Sequence, residues 1–239
     1  MSLTLPQHSS KVSLPPPGEE AKASRRKMRL ILWLGGIAVC LLLGMFAIQS
    51  PLTIWRQPRV ANRTQAIQNL KTLLPLLLEF EAEYGSYPSA STLRKVKEAT
   101  GTPLTLDDSS SNKLLLQLLV VSSKEQPFHA QIAGARKPDE DFRDDRSALA
   151  PGECPFAYIP GLNSKSPPGA PVMMSPLIHG TKRFDREPFL GQAVILFANG
   201  VIQTFPIERS GEVKIGGKDL FDPSQPYWMG KAPDIKWQE

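Results

Sequence analysis

The sequence predicts an α+β fold, and three observations carry that expectation. Leu30 to Ile48 is a run of nineteen residues without a charge. From Ile67 to Tyr84 the apolar residues then recur three and four apart, and beyond residue 127 the texture changes to short β-rich runs separated by Pro, Gly, Asn and Asp. The expected architecture is an N-terminal transmembrane helix, then a long amphipathic helix packed on a small antiparallel β-sheet. Four segments follow from it: a disordered basic tail over 1–29, a membrane helix over 30–48, a juxtamembrane joint over 49–60 and an α+β domain over 61–239.

The tail is rich in Ser, Pro and Gly, including Pro15-Pro16-Pro17-Gly18, and has little to bury. It holds Lys11, Lys22, Arg25, Arg26, Lys27 and Arg29 against Glu19 and Glu20, so it carries a net +4 of the chain's formal +5. A pI near 9.2 otherwise suggests nucleic acid as a partner, but an excess gathered in one short tail beside an apolar run points to topology, and no nucleic-acid partner is expected. At 1.5 Å per residue the nineteen-residue run spans roughly 28 Å, which matches the hydrocarbon layer of a bilayer. The run is longer than a signal-peptide core, and Phe46-Ala47-Ile48-Gln49 lacks a small-x-small cleavage site. The sequence therefore predicts an uncleaved signal anchor in the cell inner membrane, single-pass, with the lipid bilayer as a partner through 30–48. Arg25, Arg26, Lys27 and Arg29 place the N-terminus in the cytoplasm and the C-terminal domain outside it.

In the joint, Pro51 and Pro58 flank Trp55 and Arg56, an aromatic and a cation suited to an outer interface, and a bend is expected there. The helix after it carries Ile67, Leu70, Leu73, Leu74, Leu77, Phe80 and Tyr84 on one stripe, with a kink expected at Pro75. Tyr84-Gly85-Ser86-Tyr87-Pro88 ends it: Gly85 supplies a left-handed residue and Pro88 blocks resumption. Ser91 is placed to cap a helix over 92–100, closed by Gly101, and Asn112 one over 113–121. The second is apolar nearly all round, so a buried strand competes with a buried helix there. Strands are expected over 128–132, 156–159, 172–178, 193–198, 201–207 and 212–215, with Asn199-Gly200 forming a type I′ hairpin turn and 163–171 a surface loop.

The basic leader, the single apolar helix, the amphipathic continuation into Tyr84-Gly85-x-Tyr87-Pro88 and the hairpin around Phe197-Ala198-Asn199-Gly200-Val201 resemble the type IV pilin and type II secretion pseudopilin superfamily. That resemblance implies a bacterial protein whose helix packs against the sheet of a globular head. The pattern departs from the family where Glu19 follows Gly18 in place of Phe or Met, so no prepilin peptidase site is present. Nor does an acid lie within Leu30 to Ile48, where the family carries a Glu for filament assembly. The resemblance implies protein partners from a secretion or pilus-like assembly.

Chemistry-bearing motifs are sparse. His8, His129 and His179 are scattered without metal spacing, and neither a nucleophile elbow nor a phosphate-binding glycine loop occurs. Cys154 reads as a packed thiol and Cys40 as a small apolar helix residue, since Val39 stands where an acylated cysteine wants a small neighbour. Asp139-Glu140-Asp141-Phe142-Arg143-Asp144-Asp145, with Asp219 and Asp222 elsewhere, has oxygens for Ca²⁺, but the spacing is not an EF-hand's, and Arg136, Lys137, Arg143 and Arg146 pair the run internally. Asn62-Arg63-Thr64 is a chance sequon in a bacterium. The aromatic stretch Tyr227, Trp228, Met229 and Trp237 reads first as a cover over the sheet and second as a partner surface. The sequence thus predicts a protein that is not an enzyme, with no catalytic, cofactor-binding or metal residues and no cofactor. Its expected role is structural or accessory in a secretion or pilus-like system. The alternative is an anchored binding module that uses the sheet face or the 101–111 and 163–171 loops.

Overall fold

A computed structural model of the chain describes residues 19–239 apart from residue 133. Side chains before residue 58 are described only at 28, 32–41 and 45. The tail assigned to 1–29 therefore lies largely outside the described residues, as do His8 and the side chains of Trp55 and Arg56. Helix α1 is Glu19–Tyr84. The chain divides into two compact units, Met1–Ile54 and Trp55–Glu239, and the boundary falls inside the 49–60 segment, which is helical where the sequence predicts a bend.

Among the described residues no helix is long and apolar enough to cross a membrane, which overturns the expectation of a transmembrane helix over 30–48. A crossing needs about 20 consecutive apolar residues. The unbroken stretch of described side chains in this segment, Leu32 to Leu41, is ten residues and about 15 Å long. Of the rest of the predicted span, only the Met45 side chain is described. The transmembrane part of the fold, the signal anchor and the single-pass inner-membrane placement are withdrawn with it.

In the second unit α1 presents Ala66, Leu70, Leu73, Leu77, Phe80 and Tyr84 to the core, all buried, at the three-and-four spacing of one helical stripe. Pro75 is exposed and stands within the helical assignment. The helix stops as expected: Gly85 has φ of +90°, and its N–H donates to Glu81 O at 2.7 Å. The chain after it folds back over the core. Tyr87 N–H donates to Leu162 O at 2.9 Å, and Pro88 O accepts the Tyr158 hydroxyl at 2.8 Å, so the turn is fastened both to the first sheet strand and to the loop that follows it.

Helix α2 (Leu93–Thr100) follows and is closed by left-handed Gly101. Its N-cap is Thr92 and not Ser91, whose hydroxyl bonds Ser89 instead. Helix α3 (Ser111–Ser122) resolves the helix-or-strand ambiguity in favour of helix. Its cap is Ser110, which accepts the Lys113 N–H at 3.1 Å, while Asn112 lies inside the helix and turns its amide to Leu149 O at 3.0 Å. The Gln117 side chain, fully buried, accepts the Thr92 hydroxyl at 2.7 Å and donates to Ser89 O at 3.2 Å, which locks α2 and α3 together. The expected strand over 128–132 is absent. A 3-10 turn, Gln126–Phe128, runs into its first residue, with Pro127 supplying a φ suited to the turn, and 129–132 are irregular.

The main sheet is antiparallel in the order β1 (Ala157–Tyr158), β2 (Pro171–Met174), β3 (Gln192–Phe197), β4 (Ile202–Pro206). A small pair, β5 (Lys214–Ile215) and β6 (Lys218–Asp219), follows. Register places Tyr158, Met173, Leu196 and Ile202 on one face and Ala157, Met174, Ile195 and Gln203 on the other. Tyr158, which reaches Pro88, marks the first face as the side toward α1. The β3–β4 hairpin differs from the expected type I′ turn: Gly200 alone in its loop has positive φ, +80°, and its N–H donates to Phe197 O. This is a three-residue loop ending in a left-handed glycine. Gly200 also lies against α1, where a Cβ would stand 3.1 Å from Leu74 Cδ2.

Candidate functional site

The two edges of the main sheet are treated differently. At β1 the chain returns as an added strand residue: Tyr158 N–H donates to Lys236 O at 2.9 Å and Lys236 N–H to Tyr158 O at 2.8 Å. The segment is pinned further where Ser111 N–H donates to Trp237 O and Gly152 N–H to Glu239 O. The Trp237 indole donates to Thr181 O. At β4 nothing among the described residues plays that part. Phe197 N–H donates to Val201 O, and the register makes 203 and 205 the next bonded positions. Ile202 and Thr204 therefore direct their N–H and C=O groups away from β3. Pro206 ends the strand without a donor, one device by which a short edge is kept from pairing indiscriminately.

Beside this open edge lies a cleft of about 290 Å³ lined by Pro168, Gly169, Phe197, Asn199, Val201, Gln203, Phe205, Ile215 and Tyr227. Four stretches of chain build it. The hairpin supplies Phe197 and Phe205, whose rings meet edge-on at 5.9 Å and 78°. The 163–171 loop supplies Pro168 and Gly169, and is itself tied to α1 because Glu81 accepts both the N–H and the hydroxyl of Ser164. Tyr227 closes one wall against Gly169, where a Cβ would come within 2.9 Å of its ring. Its hydroxyl donates to Leu220 O at 3.1 Å, and burial pushes its pKa up to about 12. The remaining polar lining is the amides of Asn199 and Gln203, so the cleft offers an apolar floor with hydrogen-bonding amides and no side chain that titrates near neutrality. The aromatic C-terminal stretch splits accordingly: Tyr227 and Trp228 are buried over the sheet, while Met229 is 76% exposed.

The other residues singled out in the sequence do not converge. His129 is buried and His179 exposed, its ring 5.9 Å from that of Trp237. Burial holds the His129 imidazole below its usual value. Cys154 is buried, and desolvation pushes its thiol up to about 12, which keeps it protonated and unreactive. Cys40 is exposed. The acids of the 139–145 run are each engaged by nearby donors. Arg143 bonds both oxygens of Asp141 at 2.8 Å, holding that carboxyl down to about 2. Asp144 accepts the Arg146 and Ser147 N–H groups, and Asp145 accepts the Thr105 N–H at 2.7 Å. Asp219 and Asp222 accept the N–H groups of Phe221 and Ser224. Among the described residues no group of three or more His, Cys, Asp or Glu is arranged to hold a metal ion.

Sequence reasoning passed over two buried acids. Glu125 and Glu153 are each fully enclosed, and they take the N–H groups of the adjacent residues Leu149 (3.1 Å) and Ala150 (2.8 Å). Burial, then the nearby charges of Glu153 and Asp139, push Glu125 up to about 7, although the Leu149 N–H pulls it down. Burial likewise raises Glu153. Neither acid sits in a motif, and their meeting depends on the fold.

No protein-family model, no curated protein and no solved structure matches this chain.

Proposed function

We propose that residues 55–239 are a non-enzymatic docking domain that takes an extended segment of a partner protein along the open β4 edge. In this reading the domain serves a structural or accessory role in a secretion or pilus-like assembly. One observation carries it: an unpaired strand edge stands beside an apolar cleft on the same strand. An added strand gains main-chain hydrogen bonds from Ile202 and Thr204, and its alternate side chains find the floor formed by Phe197 and Phe205. The link to an assembly rests on the pilin-like helix exit at Tyr84-Gly85-x-Tyr87-Pro88 and on the helix-on-sheet layering. The binding-module alternative in the sequence and this reading meet at one place, because the cleft joins the sheet face to the 163–171 loop.

The test uses the full chain in cells with a photo-cross-linker at Gln203, in three backgrounds: unchanged, Thr204→Pro and Thr204→Val. The proline removes only an outward N–H and leaves the bonds to β3 intact. The expected outcome is cross-linking to one stretch of a partner polypeptide, lost in Thr204→Pro and kept in Thr204→Val. Equal capture by Thr204→Pro overturns edge docking.

A further inference from the structure

The loop from Gly134 to Glu153 is a strap whose ends are tied, since Arg136 N–H donates to Gly152 O at 2.9 Å. Gly152 is crowded there: a Cβ would stand 3.3 Å from Gly134 O. Between these ends, Glu140 and Leu149 hold left-handed φ angles of 59° and 44°, conformations that a residue with a side chain keeps only when its surroundings enforce them. The enforcement at Leu149 is visible. Its O accepts the Asn112 amide from α3, and its N–H donates to Glu125, which stands on the chain just beyond α3. Glu140 takes the Glu125 N–H at 3.4 Å, and Glu153 takes the Ala150 N–H.

Each carboxyl is thus anchored through one oxygen, and the other oxygen of each, Glu125 Oε2 and Glu153 Oε1, is buried without a hydrogen bond. The groups facing Glu125 are mostly of its own sign. Glu153 and Asp139 repel it, and Glu140 is bonded to its amide. Arg136 approaches Glu153 at 3.6 Å and Asp139 at 3.4 Å, so its charge is shared between them. From the 3-10 turn, buried His129 keeps Nδ1 unpartnered, with Lys137 near its ring. The element beyond, α1, contributes the neutral Asn69 amide, which donates to His129 O.

We infer that Glu125 and Glu153 form a proton-operated clasp on the 134–153 strap: a bound proton keeps the strap closed, and its loss loosens the strap. With a proton on the pair, the enclosed site carries one negative charge fewer against Asp139. When it is lost, two buried carboxylates repel each other, Glu125 Oε2 has no partner and Glu153 Oε1 has only the Arg136 guanidinium that it shares with Asp139, and opening the strap lets water reach them. The elevated value at Glu125 puts the transition near neutrality. The clasp lies on residues separate from those of the β4 cleft, so it stands or falls independently of docking.

The test is amide hydrogen exchange on the full chain at about pH 6 and about pH 8, with opening constants corrected for the intrinsic base-catalysed rate. Opening at Leu149 and Ala150 is expected to increase about tenfold or more across that interval, following ionisation of one group. Glu125→Gln keeps an acceptor for the Leu149 N–H and removes the charge, so it is expected to abolish the increase, while amides of α3 are unaffected. A pH-independent opening in the unaltered chain, or the same increase in Glu125→Gln, overturns the clasp. Should the variant fail to fold, the carboxyl titration of Glu125 in the unaltered chain decides by itself. A midpoint near 7 supports the inference and one near 4.5 overturns it.

Discussion

Gly169→Ala isolates the wall of the proposed docking cleft, because φ at Gly169 lies outside the left-handed region and alanine is conformationally acceptable there. The new methyl carbon would stand 2.9 Å from Tyr227 Cδ1 and 3.4 Å from Cε1. Carbon atoms pack at about 3.5–4.0 Å, so the ring must withdraw by about 0.6 Å or more. It has little room to do so: its hydroxyl is already at 3.1 Å from Leu220 O, and its edge packs on Trp228 at 5.2 Å and 72°. A shift of that size weakens a hydrogen bond of about 1 kcal/mol and adds overpacking strain, for a total of about 2 kcal/mol. For a folded unit of this size that corresponds to a fall in Tm of about 4–8 °C. The assay is a thermal scan of the full chain alongside near-UV circular dichroism, which reports the Tyr227–Trp228 pair. Loss of both Tm and near-UV signal is expected, together with weaker capture at Gln203. An unchanged Tm with an unchanged aromatic spectrum refutes the reasoning, since it means that Tyr227 does not close the cleft against Gly169.

Stability should fall as pH rises from about 4.5 through about 7, because an acid whose folded pKa is raised stabilises the fold most below its unfolded value; the Glu125 share is at most about 3 kcal/mol, read by urea unfolding at the two ends of that range, and Glu125→Gln should flatten it. Gln117→Leu strips the buried Thr92 hydroxyl and Ser89 carbonyl of a partner and should cost about 2–3 kcal/mol in denaturant unfolding, with far-UV helix signal retained at low denaturant. Ending the chain at Ile235 removes the two bonds to Tyr158, the Trp237 and Glu239 carbonyls that accept Ser111 and Gly152, and the Glu239 N–H held by Asn112. Unfolding free energy should drop by about 3–6 kcal/mol, and an unchanged midpoint would show that this segment is not part of the fold.

Local signals in the sequence were read well where one residue type has few alternatives. Gly85 and Gly101 end helices because each takes a left-handed φ next to a periodic apolar stripe, and both stand where expected. The four strands of the main sheet overlap the β-rich runs, with β2 and β3 each starting one residue earlier, whereas the run at Phe128 misleads because Phe128 is buried from a 3-10 turn and not from a ladder. Caps were displaced by one or two residues, since Ser91 bonds Ser89 within its own turn and Asn112 has a tertiary partner in Leu149 O. The apolar run from Leu30 led to a membrane crossing that the described residues do not provide. The cleft was not legible: Gly169, Phe205, Ile215 and Tyr227 come from four stretches that only the folded chain brings together. Glu125 and Glu153 look like ordinary surface acids in the sequence, and only burial of the Leu149–Ala150 backbone reveals what they hold.

The proposed docking requires that another chain be added at the β4 edge. Amide hydrogen exchange of Ile202 and Thr204, compared between the free full chain and the complex recovered by cross-linking at Gln203, tests this directly. Both amides should exchange fast in the free chain and become strongly protected in the complex, with Gln203 and Phe205 protected in each. Fast exchange at Ile202 and Thr204 in the complex would show that whatever binds does not pair with this strand, and would contradict the account.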